Sequence, residues 1–255
     1  MINQILEIAA RRLISRLPME EAASLLADMA RNRARQGQPD AGLRMLFAID
    51  DALYREEGQL AIRHNAGTHP KHDFLRYHDF FVDRLQAGQR VLDFGCGRGE
   101  LTYDMAERAG AHVTGIEINE ASYQAAVQNR SHPQVSYIHG DGLTDIPDER
   151  FDVIVLSNVL EHLDDRPGVL SRLVKNHQPD YLLIRVPSYE REWRVPMRDS
   201  LGVNYYLDPT HTIEYTRETF RQETGAAGLT LDEFVATWGE FWTRLSPTSV
   251  EPEFG

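Results

Sequence analysis

The stretch that decides the fold reads Arg90-Val91-Leu92-Asp93-Phe94-Gly95-Cys96-Gly97-Arg98-Gly99-Glu100. Its apolar start predicts a short strand, and the residues from Glu100 to Arg108 predict a helix. The three glycines between them permit positive φ angles and a close approach of the backbone to a ligand. The first N–H groups of the helix favour a carboxylate or a hydroxyl group. A strand, a tight loop and a helix in this order predict a site for a small adenosyl cofactor.

The spacing of the glycines argues against a nicotinamide or flavin dinucleotide. The dinucleotide fingerprint requires its third glycine at position 100, where the chain has Glu100, whereas its own third glycine is Gly99. The next predicted strand ends at Glu117, 24 residues after Asp93. This offset is close to the roughly 20 residues at which an acid accepts hydrogen bonds from a ribose diol.

Two further strand ends complete the predicted cofactor site. Asp141, between two glycines after the third strand, suits the amino group of adenine, although a plain turn aspartate is the alternative. The apolar run 151–157 predicts a central strand buried on both faces, and ligands of such sheets bind beyond the carboxyl ends of the strands. The predicted cofactor-binding residues are Asp93, Gly95, Cys96, Gly97, Gly99, Glu117, Ile118, Asp141, Gly142, Ser157 and Asn158.

The chain divides into a helical N-terminal extension, residues 1–65, and a main domain, residues 66–255. Three amphipathic helices are predicted before residue 58. They form either a packing extension or self-association surface, or a module that docks substrate or binds a membrane surface. Residues 188–213 are aromatic and polar without clear periodicity, which favours a lid. Homo-oligomers through the N-terminal helices are left open.

Composition limits the partners and the compartment. The net charge is −12, and residues 1–49 hold seven arginines against five acids, so the remaining residues carry a net charge of −14. This surface argues against nucleic acid as an extended partner. One cysteine and the lack of an 18-residue apolar stretch predict a cytoplasmic protein without a transmembrane segment.

The order of these motifs resembles the class I S-adenosylmethionine-dependent methyltransferases. The matching pieces are the glycine loop 93–99, Glu117, Gly140-Asp141 and the run Ser157-Asn158-Val159-Leu160-Glu161-His162. The resemblance implies α/β architecture: a doubly wound, mostly parallel, Rossmann-like sheet of seven strands with the last one antiparallel. It also implies that the glycine loop holds the amino-acid half of S-adenosyl-L-methionine, that Glu117 holds the ribose, and that Asp141 and Gly142 hold the adenine.

A second resemblance concerns a metal. Leu160-Glu161-His162 and His211-Thr212-Ile213-Glu214-Tyr215-Thr216-Arg217 look like the metal-dependent methyltransferases of small RNAs, where a Glu-x-x-Glu-His run and a distant histidine hold a divalent ion. Asn158 stands here in place of the first glutamate, which removes one hard ligand. We therefore predict that no metal is bound. If one is bound, the predicted ligands are Glu161, His162 and His211.

Methyl transfer from a sulfonium is an in-line displacement that also needs removal of the acceptor's proton. The candidate catalytic residues are His162, His211 and Glu161, with His162 preferred as the base and an orienting role as the alternative. The aromatic lid and the nearby Arg185, Arg191, Arg194 and Arg198 favour a small-molecule sugar or a glycan hydroxyl as acceptor. A phenolic or quinone-like acceptor and a metal-assisted ribose 2′-hydroxyl are the alternatives.

Overall fold

A computed structural model describes residues 2–66 and 69–248 of the chain. The strands are β1 (Arg90–Phe94), β2 (His112–Glu117), β3 (Val135–His139), β4 (Val153–Ser157), β5 (Tyr181–Pro187), β6 (Leu229–Thr237) and β7 (Glu240–Pro247). They form one sheet in the order β3-β2-β1-β4-β5-β7-β6, and β7 is antiparallel to both of its neighbours. The predicted mostly parallel sheet of seven strands is confirmed.

The helices are α1 (Ile2–Ile14), α2 (Met19–Arg35), α3 (Pro39–His64), α4 (Lys71–Leu75), α5 (Tyr77–Val82), α6 (Glu100–Ala109), α7 (Glu120–Asn129), α8 (Arg166–His177), α9 (Arg194–Ser200) and α10 (Arg217–Ala226). One face of the sheet packs on α8 and α10 through Leu170 and Phe220. The opposite face packs on α5 and α6 through Phe81 and Met105. The central strands are buried on both faces by these layers, so they read as continuous apolar runs in the sequence.

The N-terminal helices form a compact unit of their own together with residues 197–204, and the sheet with its helices forms the other. Within the helical unit α2 and α3 approach closely at Gly42. A Cβ atom at this position would lie 2.6 Å from the carbonyl oxygen of Ala34, so only glycine allows the contact. Helix α3 continues to His64, beyond the end near Glu57 that the sequence predicts.

The segment 188–213 contains more regular structure than its sequence predicts. A 3-10 turn spans Tyr189–Arg191, and α9 follows it. Helix α9 has only seven residues, which is too short for a periodic apolar pattern to be visible in the sequence. Among the helices of the described residues, none has the length and apolar composition that a membrane crossing requires.

Candidate active site

The glycine loop turns sharply between β1 and α6. Gly95, Gly97 and Gly99 have φ angles of 75°, 56° and 79°, which side chains with a Cβ atom rarely adopt. The backbone N–H groups of Gly95 and Cys96 both donate to the carbonyl oxygen of Ile116, at 2.9 and 3.0 Å. These bonds fix the loop across the end of β2.

Glu117 joins the loop at the end of β2, as its spacing in the sequence predicts. Its carboxylate accepts hydrogen bonds from the backbone N–H groups of Gly97, at 2.8 Å, and of Asn119, at 2.7 Å. The side chain is therefore held beside the glycine loop by backbone groups alone. Ile118, the next residue, is 68% exposed and presents an apolar surface at the same edge of the sheet.

Asp93 lies in the interior beneath the loop. Its side chain is buried and accepts a hydrogen bond of 2.6 Å from the hydroxyl of Thr102 in α6. Burial raises the pKa of Asp93 to about 6, and the hydrogen bond from Thr102 acts in the opposite direction. Asp93 thus ties β1 to α6 and has the surroundings of a structural residue.

Asp141 and Gly142 form a compact turn after β3. One carboxylate oxygen of Asp141 accepts from the N–H of Leu143 at 2.8 Å, so the aspartate stabilises its own turn. A Cβ atom at Gly142 would lie 2.4 Å from the ring of Phe94, which shows that the chain passes directly over β1's last residue. Burial raises the pKa of the Cys96 thiol in the glycine loop, which leaves it unreactive at neutral pH.

Ser157 and Asn158 end β4, at the centre of the sheet. Asn158 adopts a left-handed conformation with a φ of 57°, and its N–H donates to the carbonyl oxygen of Arg185 at 2.8 Å. Its buried side-chain oxygen has no hydrogen-bond partner among the described residues. A strained backbone and an unsatisfied buried oxygen are both typical of functional positions.

Glu161, His162 and His211 come together beyond β4. One ligand atom from each lies within 4.8 Å of the others, and the two imidazole rings meet edge to face with centroids 4.7 Å apart. A 3-10 turn, Leu160–His162, carries the first two residues. The third is docked there because the N–H of Thr212 donates to the carbonyl oxygen of Glu161 at 2.7 Å.

Each imidazole of this cluster has a hydrogen-bond partner at Nδ1. His162 Nδ1 lies 2.9 Å from the hydroxyl of Thr210, and His211 Nδ1 lies 2.9 Å from a carboxylate oxygen of Glu214. Such partners fix the ring orientation and the tautomer, so that Nε2 is left for a substrate or a metal. Glu214, itself buried, also accepts from Arg191.

Glu161 is the most unusual residue of the site. The side chain is fully buried, and neither carboxylate oxygen has a hydrogen-bond partner among the residues described. Burial raises the pKa of Glu161 to about 8. Burial and the neighbouring His211 lower the pKa of His162, which keeps that imidazole neutral at pH 7. The cluster can accept a proton or bind a cation.

The interpretation of the arginines as sites for an anionic sugar is wrong for Arg185, Arg191 and Arg198, because each is already paired with carboxylates. Arg185 is 2% exposed and makes two bonds of 2.7 and 2.5 Å to Glu240. Arg191 binds Glu214, and Arg198 binds two aspartates of α3. Since these partners lie 23 to 148 residues away, no local pattern in the sequence indicates them.

The sequence analysis also missed two supporting residues, Thr210 and Asp208. Asp208 accepts a hydrogen bond of 2.5 Å from the hydroxyl of Thr210 and so orients it toward His162. The only signal available was the clustering of polar residues immediately before His211.

Comparisons with known proteins show the family of the chain. The methyltransferase domain family matches residues 63–233. A ubiquinone biosynthesis O-methyltransferase of Pseudomonas putida is 32% identical over 161 residues, which are 56% of this chain and 69% of the relative. Its counterpart in Pseudomonas fluorescens is 31% identical over 178 residues, covering 65% of this chain and 76% of the relative.

Solved structures show the same fold. The magnesium protoporphyrin IX methyltransferase of Synechocystis PCC 6803, with bound SAH, gives a TM-score of 0.55 at 19% identity, over 68% of this chain and 83% of that one. A structure from Listeria monocytogenes, described as an S-adenosylmethionine-dependent methyltransferase, gives 0.53 at 15% identity, over 68% and 98% of the two chains. The chain belongs to the S-adenosylmethionine-dependent methyltransferases.

Proposed function

We propose that this methyltransferase transfers the methyl group of S-adenosylmethionine to a hydroxyl of a small phenolic or quinone-like acceptor. The observation that carries this proposal is the Glu161, His162 and His211 cluster beyond β4. Relatives named as ubiquinone biosynthesis O-methyltransferases support this acceptor class over a sugar or a glycan. The pairing of Arg185 and Arg191 with glutamates removes the argument for an anionic sugar.

The cofactor would occupy the edge of the sheet at β1, β2 and β3. The glycine loop offers backbone groups to the amino-acid half, and Glu117, an acceptor of hydrogen bonds, suits the ribose hydroxyls. The exposed side chain of Ile118 would provide an apolar surface for adenine, and the turn with Asp141 and Gly142 follows the neighbouring strand β3.

The chemistry requires alignment of the acceptor oxygen with the methyl carbon and removal of one proton. In this proposal Nε2 of His162 takes the proton of the acceptor hydroxyl, because Thr210 occupies Nδ1 and the ring is neutral at pH 7. The proton then lies on an imidazole beside His211 and Glu161, and Glu161, whose pKa burial raises to about 8, is mostly in its neutral form at pH 7.

The same three residues fit a divalent cation. Two imidazole nitrogens and one carboxylate form a donor set suited to zinc, iron or manganese rather than magnesium, and the unpartnered oxygens of Glu161 are oriented for such a role. A bound ion would lower the pKa of a coordinated phenolic hydroxyl. Glu161, His162 and His211 would then act as ligands.

The decisive experiment offers the purified protein labelled S-adenosylmethionine with two acceptor panels, catechols and hydroquinones in one and sugars and nucleotide sugars in the other. We expect methyl ethers of the catechols, identified by mass spectrometry. Transfer to sugars alone, or to neither panel, would contradict the proposal. Metal content of the protein as purified and after dialysis against chelator, measured by elemental analysis, separates a cation site from a simple base.

A further inference from the structure

The turn between β6 and β7 carries a tryptophan in a backbone conformation that few side chains adopt. Strand β6 ends at Thr237 and β7 begins at Glu240, so Trp238 and Gly239 alone form the turn. Their φ angles are 52° and 77°. Two-residue hairpin turns with positive φ at both positions favour asparagine followed by glycine, and a bulky side chain at the first position is strained. Trp238 therefore destabilises its own turn.

The indole of Trp238 gains little from packing that would offset this strain. Its residue is 64% exposed, whereas Trp242, four positions later on β7, is buried in the core. Large aromatic side chains stabilise a fold mainly through the area that they bury. A strained backbone that presents an exposed indole is typical of a residue with a binding role rather than a packing role.

The turn lies at the edge of the sheet that carries the candidate active site. Pro187, at the end of β5, pairs with Glu240 at the start of β7, and β5 is parallel to β4. The turn is therefore beyond the carboxyl ends of the parallel strands, as is the 3-10 turn with Glu161 that follows β4. In the sheet order β4 and β5 lie between Trp238 and β1, so the tryptophan is remote from the proposed cofactor end.

A series of contacts connects the turn to His211 within the compact unit that contains the sheet. The carbonyl oxygen of Gly239 accepts from the N–H of Ser188 at 2.9 Å, and a Cβ atom at Gly239 would lie 3.0 Å from the Cβ of Arg191. Arg191 donates to one carboxylate oxygen of Glu214 at 2.9 Å, and the other oxygen lies 2.9 Å from Nδ1 of His211. The turn is thus fixed against the residues that orient His211.

A second exposed indole belongs to the same neighbourhood. Trp193 follows Arg191 by two residues and is 68% exposed. Two of the three tryptophans of the chain are therefore exposed next to elements that contact Arg191. Small-molecule sites combine a few placed polar groups with apolar and aromatic surface, and here the polar groups are those around His211.

We propose that Trp238 is a specificity-determining residue, whose indole binds the apolar part of the acceptor that lies away from the reacting hydroxyl. The hairpin turn of β6 and β7 thereby becomes one wall of the acceptor site. This inference rests on the proposed function, because it assumes that the acceptor reacts beside His211.

The test replaces Trp238 by asparagine, which suits the left-handed conformation and removes the indole. Gln178→Asn is the matched control, because Gln178 is exposed and has a φ of 47°. Gln178 follows α8 and precedes β5, so it lies at the opposite edge of the sheet. Trp238→Phe keeps an aromatic ring at the strained position.

For Trp238→Asn we expect the KM of butylcatechol to rise about tenfold and that of catechol to rise less, with the Kd of S-adenosylmethionine within about twofold of wild type. The melting temperature should rise by about 2–4 °C, because the strain is relieved. Gln178→Asn should raise the melting temperature alone, and Trp238→Phe should keep the KM within about threefold. A more stable protein with weaker acceptor binding has no explanation in a damaged fold. An unchanged KM for both acceptors would overturn the inference.

Binding without methyl transfer separates this inference from the proposed function. Calorimetry of the complex with S-adenosylhomocysteine measures the Kd of butylcatechol for each variant. If the wild type binds this phenol and methylates none, the proposed function fails, and a tenfold weaker Kd in Trp238→Asn still supports the role of Trp238. Absence of binding to the wild type would contradict that role. Loss of binding to phosphatidylglycerol vesicles with an unchanged KM would assign the indole to a lipid surface and overturn the inference.

Discussion

Glu117 ends β2 and Glu161 follows β4, the two strands that flank β1, yet the surroundings of the two glutamates differ. Glu117 accepts two hydrogen bonds from backbone N–H groups within the loops around it. Glu161 is fully buried, and its carboxylate has no hydrogen-bond partner within residues 2–66 and 69–248. In the proposed assignment, the hydrogen bonds of Glu117 are complete at the cofactor end, whereas the acceptor end contains a buried acid that needs a proton, a cation or a hydrogen-bond donor.

This difference has a cause in the chain. The proposed cofactor end is organised by hydrogen bonds among residues between 93 and 119, which are close in sequence. The acceptor end is organised by side chains 48 residues apart, His162 and Thr210. A site made from neighbouring residues folds with its strands and loop, but a site made across a long loop depends on how that loop is held.

The largest effect is expected from Glu161→Gln, which removes the acid and keeps its volume. Turnover should fall about 10²–10⁴-fold, as expected for the loss of a group that takes part in proton transfer. The Kd of S-adenosylmethionine should stay within about twofold of the wild-type value. Steady-state kinetics and calorimetry measure the two quantities. Glu192→Gln, at an exposed position, is the control. Equal activity of the two variants would remove Glu161 from the mechanism.

Asp93→Asn tests the cofactor end through stability. Because burial raises the pKa of Asp93 to about 6, the folded protein holds this proton more tightly than the unfolded chain. The free energy of unfolding therefore falls as the pH rises from about 4 to 6, by about 1.4 kcal/mol per pH unit from this group. Asp93→Asn lacks this contribution. The free energy of unfolding of the wild type should therefore fall by up to about 3 kcal/mol relative to that of the variant between about pH 4 and 6.

Urea unfolding of the protein without cofactor, at several pH values between 4.5 and 7.5, measures this change. Asp83→Asn, at an exposed position before β1, should show the pH dependence of the wild type. Parallel curves for wild type and Asp93→Asn would mean that the acid has an ordinary pKa.

The sheet and the meeting of the glycine loop with Glu117 were predictable from the sequence because their signals are local. The apolar run before Ser157 marks a buried strand, and Gly95, Gly97 and Gly99 mark a turn that needs positive φ. Glu117 was predictable from its offset alone. These features require no knowledge of which distant segments meet.

The acceptor end was predictable only in part. The motif around Glu161 and His162 was visible, but the pairing of Arg198 with Asp51 spans 147 residues and leaves no pattern. Arg185 was misinterpreted for the same reason, because its partner Glu240 lies 55 residues away on an adjacent strand. Charge pairs set by tertiary structure decide whether an arginine is free to bind a ligand.

Glu117→Gln sharpens the comparison from the cofactor side. The amide keeps one acceptor oxygen but loses the charge that strengthens bonds to the ribose hydroxyls, so the Kd of S-adenosylmethionine should rise about 10–100-fold. The KM of the acceptor should stay near its wild-type value. Calorimetry with the cofactor measures the first quantity, and Glu120→Gln, exposed at the start of α7, is the control. A rise in acceptor KM of equal size would show that the two ends are not separate.

The smallest effect is expected from Thr210→Val, which removes the hydroxyl beside His162 Nδ1 and keeps the shape of the side chain. One hydrogen bond of this kind contributes about 1 kcal/mol, so kcat should fall about fivefold with the Kd of S-adenosylmethionine unchanged. Thr210→Ser retains the hydroxyl and should retain the activity, which separates the bond from simple packing. If valine and serine behave alike, His162 is oriented by the docking of Thr212 on Glu161 rather than by this hydroxyl, and the acceptor end is more rigid than its long-range contacts indicate.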